Sequence, residues 1–328
     1  MRKVIFIALI LSFVFSVNKT GTVSAKFLSI TPGGKAVGMG GAFTAIADDV
    51  SSLYWNPSGI SRIGTYAFYF NHIEWLADID YDYVGLSIPM SSNSVVGLSI
   101  IYLSMGEMEI RRYDDEETGE TFKAGSYALS TTWAMNLTDR FSIGFSGKYI
   151  REKIDNSHAS GFAVDVGTLF NTIFGPQLGV SISNFGPKMR MTGSDLLVNA
   201  DVSNIEGNNP NINAELSTDP FDLPLVLRVG LSDNFKFGAL TTVWSVDAVN
   251  PIDNSEYLNT GIELNVWDKA YCRMGAKSIF MDEREELYTV GLGSKIKLFS
   301  GQNLMMDYSY EIFKYLPSTH QFSIGLNY

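Results

Sequence analysis

The pattern that decides the fold is clearest in residues 141–149, FSIGFSGKY, where large apolar side chains alternate with small or polar ones. The same period of two recurs in residues 225–231 and 290–298 and in the final stretch, 321–328. A period of two places successive side chains on opposite faces of a β-strand. From Thr65 onward, the chain is therefore predicted to form strands with one apolar, aromatic face and one face of small and polar residues.

A soluble β-sandwich also alternates, so strand length and composition must separate it from a membrane barrel. The predicted strands have about 9–14 residues, whereas soluble strands average about 5–6 and a tilted membrane strand needs about 9–11. Glycine and small residues dominate the second face, where a solvated sheet would carry more Lys, Glu and Thr. We therefore predict an all-β, transmembrane antiparallel β-barrel over residues 64–328, in contact with the lipid of a bacterial outer membrane.

The number and spacing of the strands agree with this class of protein. About fourteen segments carry the pattern, and bacterial barrels have an even number of strands. Short connections, such as 90–93 and 138–140, alternate with longer ones, such as 106–123 and 184–223, as expected for periplasmic turns and outer loops. The strands are predicted to begin near Thr65, Ile79, Ser94, Ala124, Phe141, Ala159, Gly175, Pro224, Phe237, Glu256, Lys269, Glu286, Gln302 and Ser318.

Residues 1–25 have the layout of a signal peptide. Arg2 and Lys3 precede an apolar run over residues 4–17, and Val23-Ser24-Ala25 offers small residues at a cleavage site. The apolar run is shorter than the roughly 20 residues that a spanning helix needs. Cleavage would remove three cationic residues and no acid, which takes the net charge from −11 to −14 (−11 − 3). Such an acidic chain is not expected to bind nucleic acid.

Charged residues inside the predicted strands share the parity of the small-residue face. A charge that faces lipid at mid-depth costs about 2–4 kcal/mol, so these residues are predicted to line the lumen and to form ion pairs or polar bridges there. Parity places Phe145, Val164, Leu227 and Leu292 on the lipid side. The predicted lumen charges are Lys148, Asp165, Arg228, Asp247, Glu263, Arg273, Lys277, Lys295 and Asp307.

Patterns of catalytic and metal-binding residues are missing from the sequence. His72, His158 and His320 are far apart, and none has a metal-binding spacing. The chain has no G-x-S-x-G, H-E-x-x-H or P-loop motif. We therefore predict that the protein is not an enzyme and needs no cofactor or metal; a Ser–His pair assembled in space is the alternative that the sequence leaves open.

Residues 26–63 lack clear β alternation and are predicted to form a hatch or plug in the lumen. Their glycines would let the backbone approach the wall closely. Their two acids would need cationic partners in a narrow pore, for which Arg228 and Arg273 are the candidates. A Trp-Asn-Pro turn would fix the exit toward the first strand, and the alternative to a gate is a purely structural plug. The candidate gate residues are Gly38, Gly40, Gly41, Asp48, Asp49, Trp55, Asn56 and Pro57.

This segment resembles the start of the PorV/PorQ family of outer-membrane proteins, which is related to the FadL long-chain fatty-acid channels. The resemblance rests on the glycine-rich run Val37–Ala45, on the acids that follow Ala47 and on the turn Tyr54–Gly59. A weaker block lies around residues 247–254. The resemblance implies a fourteen-stranded barrel in the outer membrane with a gated or plugged lumen.

The resemblance also implies two different functions. The best-known family members serve the type IX secretion system and receive cargo that has a C-terminal signal domain, so secreted proteins or other secretion components would be the partners. The relation to FadL implies instead a channel for hydrophobic small molecules. A purely structural barrel is the third alternative.

The signal-peptide layout predicts a defined start of the mature chain. We expect signal peptidase to cut after Ala25 because small residues precede that bond. N-terminal sequencing of the protein from the outer-membrane fraction should therefore begin at Lys26. A chain that retains Met1 would contradict this prediction.

Overall fold

The computed structural model describes residues 21–112, 118–200, 212–281, 283–298 and 301–328. The first 20 residues of the predicted signal peptide lie outside the described residues. Within the described part of the chain, no helix has the length and apolar composition needed to cross a bilayer.

Fourteen antiparallel strands form a closed barrel, as the sequence predicts. Neighbouring strands follow chain order, and the last strand pairs with the first from Ala67–Asn327 to Glu74–His320. The barrel strands are β1 (Ala67–Glu74), β2 (Ile79–Pro89), β3 (Ser94–Met105), β6 (Ala124–Asn136), β7 (Phe141–Ile154), β8 (Ser157–Asn171), β9 (Gln177–Phe185), β13 (Val226–Phe237), β14 (Leu240–Pro251), β15 (Tyr257–Val266), β16 (Ala270–Ile279), β17 (Glu286–Lys297), β18 (Asn303–Phe313) and β19 (Thr319–Asn327).

The prediction of about fourteen barrel strands is confirmed, and each strand begins within about three residues of its predicted start because the alternation is strong. In the part of the chain that the structure describes, five short strands are present besides the fourteen of the barrel. They are β4 (Met108–Glu109), β5 (Thr121–Phe122), β10 (Thr192–Gly193), β11 (Leu197–Ala200) and β12 (Ile212–Glu215). One of them, β10, pairs with the outer end of β8.

The two ends of the barrel differ in the length of their connections. One end has short turns, such as residues 90–93 and 137–140, and we call it the periplasmic end. The outer end has the long connections 106–123 and 186–225. The outer connection between β7 and β8 is an exception, because only residues 155–156 join these two strands and the strands themselves project outward.

The barrel wall separates an apolar outer surface from a polar lumen. Phe145, Val164 and Leu292 are 41%, 47% and 60% exposed on the outer surface, whereas Lys148 and Asp165 are buried in the lumen. Large apolar residues face outward because the outer surface of a membrane barrel contacts lipid tails.

The N-terminal segment, residues 26–63, runs through the lumen from the outer end to the periplasmic end. At the outer end, the Lys26 ammonium pairs with Asp253 of the connection that follows β14. At the periplasmic end, Arg62 donates to Asn171 Oδ1 at 2.9 Å. The segment contains two short α-helices, α1 (Gly34–Gly38) and α2 (Ser52–Trp55), and 3₁₀ turns at Lys26–Ser29 and Pro57–Arg62.

The height of each residue in the wall predicts how strongly a charge there would destabilise the barrel. Leu227 faces outward but is only the second residue of β13, whereas Leu231 lies near the middle of that strand. We expect Leu231→Arg to cost about 2–4 kcal/mol and Leu227→Arg about 0–1 kcal/mol, because the penalty falls toward the interface. Denaturant unfolding in lipid vesicles measures the loss of unfolding free energy for each variant. Equal losses for Leu231→Arg and Leu227→Arg would contradict the depths assigned to these two residues.

Candidate functional site

Nine barrel strands carry a lumen-facing glycine where the N-terminal segment meets the wall. A Cβ atom on Gly261 would lie 2.2 Å from the Met39 carbonyl oxygen, and one on Gly275 would lie 2.0 Å from the Gly40 nitrogen. These distances leave no room for a side chain. We call these nine residues the glycine belt: Gly85, Gly97, Gly144, Gly167, Gly179, Gly230, Gly261, Gly275 and Gly291.

Several belt glycines are direct partners across neighbouring strands. The register pairs Gly144 with Gly167, Gly179 with Gly230, and Gly261 with Gly275. Two paired residues without side chains leave a shallow groove in the wall. The backbone of the N-terminal segment lies in these grooves at residues 39–40, 44–45 and 57–58, and the Asn56 side chain lies against Gly167.

The predicted gate glycines lie on the opposite side of this contact. The Cα atom of Gly38 lies 3.0 Å from where a Cβ on Gly291 would be. Gly40 and Gly41 have φ angles of 67° and 71°, a left-handed conformation that favours glycine. The Gly40 N–H donates to the Thr289 hydroxyl at 3.0 Å. The turn after α1 is therefore joined to β17 by a hydrogen bond as well as by close packing.

The two acids of the segment have partners within the segment. The Lys35 ammonium binds Asp48 at 2.7 Å, and Asp49 accepts a hydrogen bond from the Ser51 N–H at 2.8 Å. Burial and the neighbouring Asp48 charge raise the pKa of Asp49 to about 6. Burial alone would lower the pKa of Lys35, but the carboxylates of Asp48, Glu263 and Asp49 together outweigh burial and raise that pKa above its ordinary value.

The predicted pairing of these acids with Arg228 or Arg273 is wrong. Arg273 contacts Glu263 and Asp307, each at 2.6 Å. Arg228 stacks 5.5 Å from the centre of the Trp55 ring. Strand parity predicts which face a charge occupies, but it does not predict its height or which carboxylate lies nearest. Asp48 is instead paired with Lys35 of the same segment, thirteen residues earlier, and not with an arginine of the barrel wall.

The predicted exit turn ties the segment to the wall. Trp55 is 1% exposed, and its indole N–H donates to the Pro32 carbonyl at 2.9 Å. The Asn56 side-chain amide donates to the Thr168 carbonyl on β8 at 3.0 Å. Pro57 begins the 3₁₀ turn that leads toward β1. These contacts hold the lower part of the segment on β7 and β8.

The remaining predicted lumen charges occupy separate places. Lys148 and Asp165 form a buried pair at 2.7 Å. Asp247 accepts a hydrogen bond at 2.8 Å from a backbone N–H of the segment. Lys295 lies at the periplasmic end and pairs with Asp268 of the adjacent turn at 2.8 Å. The lumen charges thus form several local networks.

A cavity of about 710 Å³ opens at the outer end, above the N-terminal segment; we call it the outer cavity. Arg228, at its base, is buried and forms no ion pair with the residues that the structure describes. Lys277 binds Glu311 at 2.5 Å and Glu286 at 3.2 Å. The apolar wall of the cavity is formed by Phe27, Ile30, Trp75, Leu103, Met105 and Phe313.

Sequence reasoning did not single out this apolar wall. Its signal is in β3, where Val95, Ile101 and Leu103 face the lumen and are nonetheless apolar. A strand with apolar residues on both faces departs from the barrel pattern of an apolar exterior and a polar lumen. That departure marks the side of the lumen where the outer cavity lies.

Comparisons with known proteins agree with this architecture. A family model described as "Type IX secretion system protein PorV" matches residues 15–200, more than half of the chain. None of the curated protein sequences matches the chain.

Three solved structures have the same fold. A Pseudomonas aeruginosa FadL homologue is 12% identical, with a TM-score of 0.52 and coverage of 96% of this chain and 99% of that chain. The Pseudomonas putida toluene transporter TodX is 11% identical, with a TM-score of 0.53 and coverage of 96% and 98%. The CymD monoaromatic hydrocarbon channel is 12% identical, with a TM-score of 0.56 and coverage of 91% and 97%. At these identities, the similarity establishes the fold alone.

The glycine belt predicts a difference between inward and outward glycines. Gly261→Val would force a side chain into the Met39 backbone, and we expect a loss of about 1–3 kcal/mol from overpacking. The matched variant Gly147→Val adds the same atoms on the outer face, where a Cβ would meet nothing within 4 Å. Denaturant unfolding in lipid vesicles, with trypsin cleavage at Lys35 as a local probe, should show a loss only for Gly261→Val. Equal behaviour of the two variants would contradict the contact.

Proposed function

The chain belongs to the PorV family of type IX secretion system proteins, and we propose that it engages exported proteins at the cell surface. It is an outer-membrane β-barrel. In the proposed role, its lumen is not the route of transport. Exported proteins bind at the outer end, and no catalytic step takes place on the chain.

The observation that carries the proposal is an open outer cavity above a lumen filled by the N-terminal segment. The segment contacts glycine-belt residues on nine strands around the barrel. A polypeptide could not pass this contact unless the segment left the wall. The outer cavity, by contrast, has about 710 Å³ of space above the segment. Binding from the cell surface is therefore supported better than passage through the barrel.

The chemistry of the outer cavity suits a polypeptide. Trp75, Leu103 and Met105 offer apolar contacts, whereas Arg228 offers a cationic group at the base. Lys277 is already paired with Glu311 and Glu286. A polypeptide segment presents both apolar side chains and polar or charged groups, so it can use both parts of the cavity. A pure hydrocarbon would leave the Arg228 guanidinium without an ionic partner.

The long outer connection adds a second surface for exported proteins. Its hairpin, β11–β12, exposes Val198 and Ile212 on one face and Leu197 on the other. Neighbouring exposed apolar residues, such as Val198 and Ile212, are a mark of protein interaction. The hairpin and the outer cavity lie at the same end of the barrel and could contact one exported protein together.

A channel for hydrophobic small molecules is the second candidate function. It is supported by the apolar wall of the outer cavity and by the fold shared with TodX, a toluene transporter, and CymD, a monoaromatic hydrocarbon channel. In this alternative, a hydrophobic molecule would enter along Trp75 and Met105. The N-terminal segment would then have to move to let it pass.

The proposed function predicts that filling the outer cavity reduces binding of exported proteins. Met105→Trp adds bulk inside the cavity, whereas Tyr102→Trp changes a neighbouring residue on the outer face of β3. We expect about tenfold less exported protein to co-purify with Met105→Trp, the equivalent of roughly 1.4 kcal/mol of binding free energy. The measurement is a pull-down from detergent-solubilised outer membranes, quantified by mass spectrometry.

The control and the alternative give different outcomes. Tyr102→Trp should retain the wild-type set of exported proteins. If Met105→Trp retains that set as well and instead lowers toluene uptake by cells, the channel replaces secretion as the function. Wild-type protein that captures no exported protein at all would also overturn the proposal.

A further inference from the structure

The outer face of the barrel has a hollow around Gly147, near the middle of β7. A Cβ atom at Gly147 would meet no other atom within 4 Å, so the surface is open where neighbouring positions carry large side chains. The hollow has a volume of about 760 Å³. Apolar side chains from three strands surround it: Leu98, Ile100, Leu129, Phe162 and Val164.

Two cations lie directly above this hollow on the same face of β7. Arg151 and Lys153 share the parity of Gly147 and therefore point outward. Glu152, between them, points into the lumen, where it lines the outer cavity. Within the part of the chain that the structure describes, neither cation forms an ion pair. Both remain available to an external anion.

The length of β7 matches the thickness of the apolar part of a membrane. A strand rises about 3.3 Å per residue, and at a tilt of about 40° the ten steps from Phe141 to Arg151 span about 25 Å along the membrane normal. That is the height of the apolar band of a membrane barrel. Arg151 is thus at the level of the outer headgroups, and Gly147 lies about 10 Å deeper, at the level of acyl chains.

Other strands differ in charge at the same border. Glu74 and Asp80 are register partners on β1 and β2 and both face outward. An anionic headgroup would be repelled there and attracted at Arg151 and Lys153. The Tyr149 and Phe162 rings, whose centroids are 5.3 Å apart, form a rigid rim between the cations and the hollow.

We propose that this sector of the wall is a binding site for one phosphate-bearing, acylated glycolipid of the outer leaflet. The phosphate binds Arg151 and Lys153, and one acyl chain fills the hollow at Gly147. The site is independent of the outer cavity, because it lies on the other side of the barrel wall. It would hold this lipid specifically against the barrel and orient the β7–β8 hairpin in the membrane.

The test counts the lipid that stays bound to the full-length protein. Wild type and variants are reconstituted in phosphatidylethanolamine bilayers that contain diphosphoryl lipid A, extracted in mild detergent and analysed by native mass spectrometry. We expect one lipid A per wild-type barrel. Removing both charges with Arg151→Gln and Lys153→Gln should weaken retention roughly 30-fold, about fivefold for each cation. Gly147→Phe, which fills the hollow, should also lower retention.

Matched variants separate this site from general attraction of lipid. Arg284→Gln with Lys314→Gln removes two outer cations elsewhere, and Cys272→Phe adds a ring to the lipid face of β16; both should retain lipid A as wild type does. Heat-dependent mobility on a gel confirms that each barrel is folded. The proposal is overturned if the Arg151 and Lys153 variant retains as much lipid A as the Arg284 and Lys314 variant, or if Gly147→Phe behaves like Cys272→Phe.

Discussion

Each buried polar group of a polypeptide backbone inside a membrane barrel needs a hydrogen-bond partner. The barrel wall must also lack large side chains where that backbone packs against it. The glycine belt meets the second need, because residues such as Gly261 and Gly275 bring main chain against main chain. Side chains beside the belt meet the first need. The Gly34 N–H donates to Ser323 Oγ at 3.1 Å, and the Thr44 N–H donates to Asp247 Oδ2 at 2.8 Å. The small and polar character of the lumen face follows from this contact.

The buried charges of the lumen support the same contact. Arg273 lies between Glu263 and Asp307, and its Cβ and Cδ would each lie 3.4 Å from a Cβ on Gly38. Breaking one partner of such a buried network is costly because it leaves an uncompensated charge. The wall opposite α1 therefore has little freedom to rearrange. A lumen held in this way agrees with a role at the cell surface, where binding requires the outer cavity and the outer loops rather than an open pore.

Much of the fold could be predicted from the sequence, because alternation is a strong and repeated signal. The barrel strands, the face that each side chain occupies and the special N-terminal segment all follow from period and composition. The height of each residue along the barrel axis could not be predicted in the same way. Leu227 lies near the outer end, and Asp48 pairs with Lys35 instead of a wall arginine, because both outcomes depend on the vertical position of residues in the closed barrel. The outer cavity forms only when residues from many strands come together in the closed barrel. The apolar lumen face of β3 is its one signal in the sequence.

The path of the N-terminal segment through the lumen could likewise not be predicted from the sequence pattern. It begins near Asp253 at the outer end and ends near Asn171 at the periplasmic end, a route that only the barrel geometry defines. The β7–β8 hairpin has a two-residue outer connection, so its projection comes from long strands and not from a long loop. Both features place functional groups at the outer end of the barrel, and the lengths of the loops alone would not predict them.

We propose that the N-terminal segment, seated on the glycine belt, closes the lumen. The most direct measurement is the conductance of single barrels in planar bilayers, for wild type and for a variant that lacks Lys35–Asp49. We expect low or absent conductance for wild type and larger or more frequent open steps for the deletion variant in a folded barrel. Unchanged conductance in a correctly folded deletion variant would contradict this proposal.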